Sequence, residues 1–348
     1  MLISVLMLAA IVSPVGPAMA NRPVQDPITN PDLDKACGLN ILMILDESTS
    51  IATSHAQDEV RSAFKAFTGA IKNTSSSMAV AKFGTTADLP SIGGFPAGEY
   101  VTVTDATKVQ LDSWVDTGYN PVKDPTHYTN WDDGLRMGNY NFAPRPTHAV
   151  PHLTVFITDG DPNRAIKDSV SQNRYENDLL NSGDMYSPHT DDAADKAVAN
   201  ANGLKHQDSH ILAIAVGDGI SGSGPLGRLV KISGPDVYDG SGTFDISTDD
   251  IYRVPDFDEL EDALREAAFQ LCSPSVTVQK IIDLTPDPDS LDDAIPGVAW
   301  TIEGAVTAPA PGGYDWVLPV AEAPGTGPKS TLTDGAGFAT FQWLPDVV

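Results

Sequence analysis

Asp46, Glu47, Ser48, Thr49 and Ser50 follow one another and place a carboxylate and two hydroxyls at alternate positions. Carboxylate and hydroxyl oxygens are hard donors that suit Mg²⁺ or Mn²⁺, and a tight loop can turn Asp46, Ser48 and Ser50 toward one ion. Asp and Ser are also ordinary helix N-caps, so this stretch alone fits either role. Two later stretches bear on the choice. Thr129 stands just before the helical pattern that begins at Trp131, and Asp159 ends the apolar run Leu153 to Thr158 and is followed by Gly160.

The elements that must position these residues are legible from periodicity. Leu39 to Leu45 is an apolar run too short for a membrane span and reads as a strand buried on both faces. His152 to Thr158 and Ile211 to Val216 read the same way, and Met78 to Phe83 is a shorter apolar strand. Between them, His55 to Ile71 carries Val60, Phe64, Phe67 and Ile71 at helical spacing. Further helices are expected around Lys108 to Val115, over Trp131 to Tyr140, Asp192 to His206 and Leu226 to Ile232, and over Phe257 to Leu271. Tyr100 to Val103 and Phe244 to Ile246 are expected as edge strands. About six strands and six helices in alternation make one ordinary α/β domain, doubly wound, with a mostly parallel sheet and helices on both faces. In such sheets ligands bind outside the carboxyl ends of the strands, where Asp46 and Asp159 stand.

Taken together, Asp46, Ser48, Ser50, Thr129 and Asp159 spell D-x-S-x-S, then T, then D. This resembles the metal-ion-dependent adhesion site of von Willebrand factor A-type domains at all five positions. The resemblance implies that Ser48, Ser50 and Thr129 contact the ion through their hydroxyls. It also implies that Asp46 and Asp159 act directly or through water, and that an acidic group of a partner completes the shell. The expected cofactor is Mg²⁺, with Mn²⁺ or Ca²⁺ as alternatives. Two long connections, Thr117 to Tyr128 and Asp161 to Asp191, emerge at the same face, and loops of this length on a rigid scaffold often carry specificity. Arg164, Lys167, Arg174, Tyr175 and Tyr186 are the expected surroundings of the site.

Residues 1–20 combine an apolar run from Leu2 to Val12 with Ala18-Met19-Ala20, the pattern of a secretory signal, although a basic start is missing. Residues 21–36, rich in Pro, Asn and Asp, read as an extended leader. The A-type domain is expected over 37–272, with the chain's two cysteines, Cys37 and Cys272, at its ends. In an exported chain such a pair suggests a disulfide, worth at most about 5 kcal/mol on the loop-entropy model. Residues 273–348 change character. Ser275 to Asp283, Val298 to Glu303 and Gly337 to Trp343 alternate like strands between Pro- and Gly-rich turns. They weakly resemble the prealbumin-like B-type repeats of Gram-positive surface proteins, through Lys280 and the Thr333-Asp334-Gly335 stretch that runs to Phe341. The module is expected to be truncated. No asparagine follows Cys272, so Lys280 is expected to form no intramolecular isopeptide bond.

The chain carries 21 basic and 47 acidic residues, a net charge of −26. That excludes nucleic acid and anionic membranes as partners, since both demand a basic face. An acidic partner group would need a bound divalent ion to reverse the local sign. Gly222 to Gly227 matches G-x-G-x-x-G but contains Pro225 and lies on a late loop. The sequence holds no H-E-x-x-H or G-x-S-x-G. A phosphatase role for Asp46 would require an aspartate where Ser48 stands. The expectation is therefore a secreted or cell-surface, adhesin-type protein, not an enzyme, that binds a protein or extracellular-matrix ligand through the ion, with no membrane insertion. A Mg²⁺-dependent hydrolase, or a structural pilus or matrix component with a stabilising ion, are the alternatives.

Overall fold

The computed structural model describes residues 24–34, 37–139, 149–168, 180–271, 275–282, 295–296, 301–304, 314–318, 329–332 and 338–345. The proposed signal segment, Cys272 and most of the turns after it lie outside them. In chain order the first strands are β1 (Asn40–Asp46), β2 (Ser77–Phe83), the short β3 (Ala87–Asp88) and β4 (Val101–Thr102), and β5 (Leu153–Thr158). Then come β6 (Ala165–Ile166), β7 (Met185–Tyr186), β8 (His210–Val216), β9 (Val237–Tyr238) and β10 (Ile251–Val254). The helices are α1 (Thr49–Thr53), α2 (Gln57–Ile71), α3 (Asp105–Gly118), α4 (Trp131–Arg136), α5 (Thr190–Lys205), α6 (Ser223–Ile232) and α7 (Leu260–Leu271).

The main sheet runs β3-β2-β1-β5-β8-β10-β9, with β4 also on β2. The pairs from β2 through to β9 are parallel, while β3 and β4 are antiparallel to β2. After β1 the chain adds β2 on one side, and only later β5 on the other. The order therefore reverses between β1 and β5, which makes the cleft beyond Asp46 and Thr158 the topological switch point.

The two-faced apolar composition of β1 explains the layers. Ile41, Met43 and Leu45 pack into a core with Phe64 and Phe67 of α2, Val115 of α3 and Leu264 of α7. Leu42 and Ile44 point the other way, toward Leu135 of α4, Leu204 of α5 and Leu229 of α6. A period of two along a strand with apolar residues at every position demands helices on both faces. Phe64 and Phe67 are fully buried, so truncation of either to alanine should cost about 3–5 kcal/mol. Among the described residues no helix is long and apolar enough to cross a membrane.

Three local expectations need correction or extension. Phe244 and Ile246 are buried but form no strand. Their backbone is satisfied instead by the Gln270 side chain, which donates to the Phe244 carbonyl at 2.7 Å and accepts from the Ile246 N–H at 2.9 Å. The far edge of the sheet is made by β9 and β10. The helix after Thr129 is shorter than its periodicity suggests, since Met137, Gly138 and Asn139 close in i→i−3 turns. The segment 24–34 is extended and yet docked: Leu33 and Asn30 are buried, and the Leu33 N–H donates to the Ser247 carbonyl at 3.0 Å.

Beyond residue 274, β11 (Ser275–Gln279) and β15 (Tyr314–Leu318) flank β17 (Phe338–Pro345) in an antiparallel sheet. The short strands β12 (Ile281–Ile282) and β13 (Ile295–Pro296) pair with each other, as do β14 (Thr301–Gly304) and β16 (Lys329–Leu332). Periodicity had marked β11, β14 and β17. It missed β15 and β16, which lie in a Pro- and Gly-rich part of the sequence.

Candidate metal centre

Asp46 is the last residue of β1 and is 1% exposed. Its Oδ1 accepts the Ser48 N–H at 2.8 Å, which folds the chain back on itself, and its Oδ2 accepts the Thr158 hydroxyl at 2.7 Å. Ser50 Oγ donates to Asp159 Oδ1 at 2.7 Å and lies 2.9 Å from Ser48 Oγ. Asp46, Ser48, Ser50 and Asp159 thus form one hydrogen-bonded cluster across the ends of two adjacent parallel strands.

The intervening residues hold this loop in place. Glu47 is buried; its N–H donates to the Phe83 carbonyl, and its carboxylate takes the Lys82 ammonium at 2.9 and 3.2 Å and the Asn120 N–H at 2.7 Å. The Thr49 N–H and hydroxyl donate to the His127 carbonyl at 3.1 and 2.8 Å. The Tyr119 hydroxyl donates to the Asp46 carbonyl at 2.6 Å. These contacts tie the first loop to β2, to the end of α3 and to the loop that carries Thr129.

Among the described residues no hydrogen bond joins the Thr129 side chain to the other four residues; its backbone is what the fold fixes. The Thr129 N–H donates to Asn163 Oδ1 at 2.9 Å, and its carbonyl accepts the N–H groups of Asn163 and Arg164 at 2.9 and 3.2 Å. Thr129 therefore lies against the connection that leaves Asp159, and through His127 it is linked to the first loop. The acidic residues that follow it serve the scaffold. Asp132 accepts from the Ile166 N–H and the Asn200 amide, and Asp133 accepts from the Ala87 N–H and Arg136. A fourth loop was not anticipated. A Cβ at Gly219, after β8, would fall 2.3 Å from the Asp159 carbonyl oxygen, so only glycine allows that approach.

Burial, and after it the charge of Asp159, pushes Asp46 up to about 7. Burial likewise raises Asp159. No ion pair among the described residues engages either one. Two neighbouring buried carboxylates, one of them raised further by the other's charge, lack positive charge among the described residues, and the surrounding donors are hydroxyl oxygens. This donor set fits a hard divalent cation. It is not a carboxylate or histidine cage: among the described residues no group of three or more His, Cys, Asp or Glu is placed so that it could hold a metal ion.

Of the expected surroundings, Arg164 stacks its guanidinium 3.2 Å from the centroid of the Tyr128 ring, next to Thr129. Tyr186 and Lys167 build the small β6–β7 hairpin: Tyr186 pairs with Ala165, and the Lys167 N–H donates to the Asp184 carbonyl. Arg174 and Tyr175 lie outside the described residues. Cys37 is not a free thiol, while Cys272 is also outside them.

No protein-family model and no curated protein matches the sequence. Among solved structures, the chain is similar to proximal thread matrix protein 1 from the mussel byssus, at 16% identity and a TM-score of 0.43, over 71% of this chain and 50% of that one. It thus spans about half the length of that protein, of which another structure has a zinc-occupied MIDAS motif. It is also similar to the pilus adhesin SpaC from Lactobacillus rhamnosus GG, at 12% identity and a TM-score of 0.49, over 91% of this chain and 41% of that one. A third similarity is to the vWF domain of the type V pili tip protein Mfa5 from Porphyromonas gingivalis, at 10% identity and a TM-score of 0.45, over 67% of this chain and 94% of that one. With every one of these scores below 0.5, the doubly wound class rests on the strand order and crossovers of the chain itself.

Proposed function

We propose that this chain is a von Willebrand factor A-type binding protein, secreted or held at a cell surface, that captures an acidic group of a protein or matrix partner through a divalent cation. Asp46, Ser48, Ser50, Thr129 and Asp159 hold the ion, Mg²⁺ in the first instance. The observation that carries this reading is the cluster at the switch point: two buried carboxylates without a cationic partner among the described residues, bridged by serine hydroxyls. A bound cation supplies the missing positive charge and an open position for a partner carboxylate. The chain's own residues orient the hydroxyls and keep the loops together. The net charge of −26 opposes any acidic partner at long range, so the ion has to act locally.

The role is binding and not catalysis, because hydrolysis would require a positioned base or a second metal. The structural alternative, an ion that only stabilises the loops, makes a different prediction. The test is surface plasmon resonance of the protein over carboxylate-bearing and carboxamide-bearing surfaces, in Mg²⁺ and in chelator. Retention on the carboxylate surface in Mg²⁺ only, lost in Asp46→Ala, is the expected result. A thermal shift with Mg²⁺ but no retention would leave the structural role in its place.

A further inference from the structure

Arg164 is fixed beside the candidate metal centre by its backbone. Its N–H donates to the Thr129 carbonyl at 3.2 Å, the Thr129 N–H donates to the side-chain oxygen of the preceding Asn163 at 2.9 Å, and the following Ala165 pairs with Tyr186 in the β6–β7 hairpin. The side chain is held as well. Its guanidinium carbon lies 3.2 Å from the centroid of the Tyr128 ring, and Nη1 donates to the Asn163 carbonyl at 3.1 Å and to the Ser187 hydroxyl. A guanidinium stacked on a ring and anchored at one nitrogen has already given up much of the rotamer freedom that binding would otherwise cost.

What this cation lacks is an anion. The chain has a net charge of −26, and other arginines near the metal loops are neutralised within the fold: Arg228 takes Asp161 and Asp191, and Arg136 takes Asp133. Arg164 has no ion pair with a carboxylate among the described residues, and its Nε and Nη2 have no acceptor among them. The residue is partly exposed. Nε and Nη2 together form the edge of a guanidinium that can meet both oxygens of one carboxylate, so the nitrogen spent on the protein is the one that this fork does not need.

The geometry points to Arg164 as a second anion anchor, one that takes a carboxylate of the partner through Nε and Nη2 while the ion takes another. The partner class narrows from any acidic group to a protein segment that carries two carboxylates close together. That narrowing rests on the proposed metal site; the affinity of Arg164 for a carboxylate does not. The sign of the effect is diagnostic. At long range a second negative charge on the partner is repelled by the acidic chain, so a gain from it has to come from a local cation.

The two parts are read separately. In chelator, the Nε–H of Arg164 is followed by NMR while sodium acetate is titrated against sodium chloride at equal ionic strength. A saturating shift with acetate alone is expected; the same response to both salts would overturn the anchor. In Mg²⁺, calorimetry compares peptides that hold two aspartates across short glycine spacers with counterparts whose second aspartate is asparagine. At one spacing the two-aspartate peptide should bind about tenfold more tightly or better. Arg164→Gln should abolish that gain, and Arg164→Lys, which keeps the charge without the fork, should restore only part of it. Lys167→Gln, which removes a neighbouring charge, should leave the gain intact. No gain at any spacing, or a gain that survives Arg164→Gln, would overturn the partner class. Mg²⁺ alone, titrated into wild type and Arg164→Gln, reads the metal site by itself, and equal affinities are expected. Loss of Mg²⁺ binding in Arg164→Gln only would make the residue a structural part of the metal loops and overturn the anchor. No Mg²⁺ binding in either chain would remove the metal reading and the two-carboxylate partner with it, and the acetate titration would still decide the anchor.

Discussion

Asp46 and Asp250 are both aspartates, both almost fully buried, and sit at opposite ends of the same sheet. At the amino end, next to β10, Asp250 is completely accommodated. Its Oδ1 accepts the Asn30 amide at 2.6 Å, and its Oδ2 accepts the Asp236 N–H at 3.0 Å. Lys205 lies near enough for its charge to be felt. Gly234 backs the carboxylate so closely that a Cβ would fall 2.1 Å from Oδ2. At the carboxyl end Asp46 is held by Ser48 and Thr158 but by no cation among the described residues, and a second buried carboxylate adds to its difficulty. Equal burial therefore leads to two outcomes. One carboxylate is part of the scaffold; the other is left short of positive charge.

If the amino end is the structural end, its covalent tie should matter most. A Cys37–Cys272 bridge would close almost the whole domain, and its reduction, or Cys37→Ser, is expected to cost about 2–5 kcal/mol in denaturant unfolding. Intact-mass analysis before and after alkylation checks the bridge itself. Quantitative alkylation of both cysteines without reductant would show that the end is held by packing alone.

At the other end the expected effect falls on the ion and not on the fold. Asp46→Ala and Asp159→Ala should each weaken Mg²⁺ binding by about a hundredfold or more, close to 3 kcal/mol, as read by titration calorimetry. Thermal unfolding of the ion-free variants should match or exceed wild type, because one of two buried like charges is gone. Asp250→Asn should do the reverse, leaving Mg²⁺ affinity alone and lowering stability. Wild-type Mg²⁺ affinity in both metal-loop variants would sink the site.

A smaller loss is expected from Asn30→Ala. The Asn30 amide donates to Asp250 and to the Ile211 carbonyl, and its oxygen accepts the Ile211 N–H at 3.0 Å. Removing it leaves buried groups unsatisfied, so about 1–3 kcal/mol is expected in chemical denaturation. A stability equal to wild type would mean that the docked 24–34 segment is ornamental.

The two ends were unequally legible in the sequence. The carboxyl end announces itself, because Asp46 and Asp159 each terminate an apolar run and the alternate Ser48 and Ser50 have no reason in a buried strand. The residues that make that end rigid do not. Glu47 and Thr49 occupy the unspecified positions of the motif, and their partners Lys82, Asn120 and His127 come from distant parts of the chain. The amino end was almost silent. Asn30 lies among Pro, Asn and Asp, a composition typical of exposed turns, and only the fold brings it to Ile211 and Asp250. Phe244 and Ile246 alternate as a strand does, but burial beneath Gln270 of α7 gives the same alternation without a ladder.

The subtlest difference between the ends lies in pH dependence. Lys205 is 4% exposed; burial pulls its ammonium down to about 8, against the opposing effect of Asp250. Its Nζ donates to the Ile28 carbonyl at 3.0 Å, so it helps to hold the docked segment. With the folded value below the unfolded 10.5, the unfolded chain binds more protons between them, and stability rises as pH increases through that window. Below about pH 8 both states carry the proton and the contribution is flat. The increment between about pH 7 and pH 8.5 should be less than about 1 kcal/mol. Lys205→Met retains the buried stem and removes the titration, so the difference between its stability–pH curve and that of wild type isolates the group from other titrations. A difference that stays constant from about pH 7 to pH 10 would show that Lys205 keeps an ordinary affinity for its proton. The amino end would then be open enough to water to hydrate the ammonium, and the contrast with the carboxyl end would lose its basis in burial.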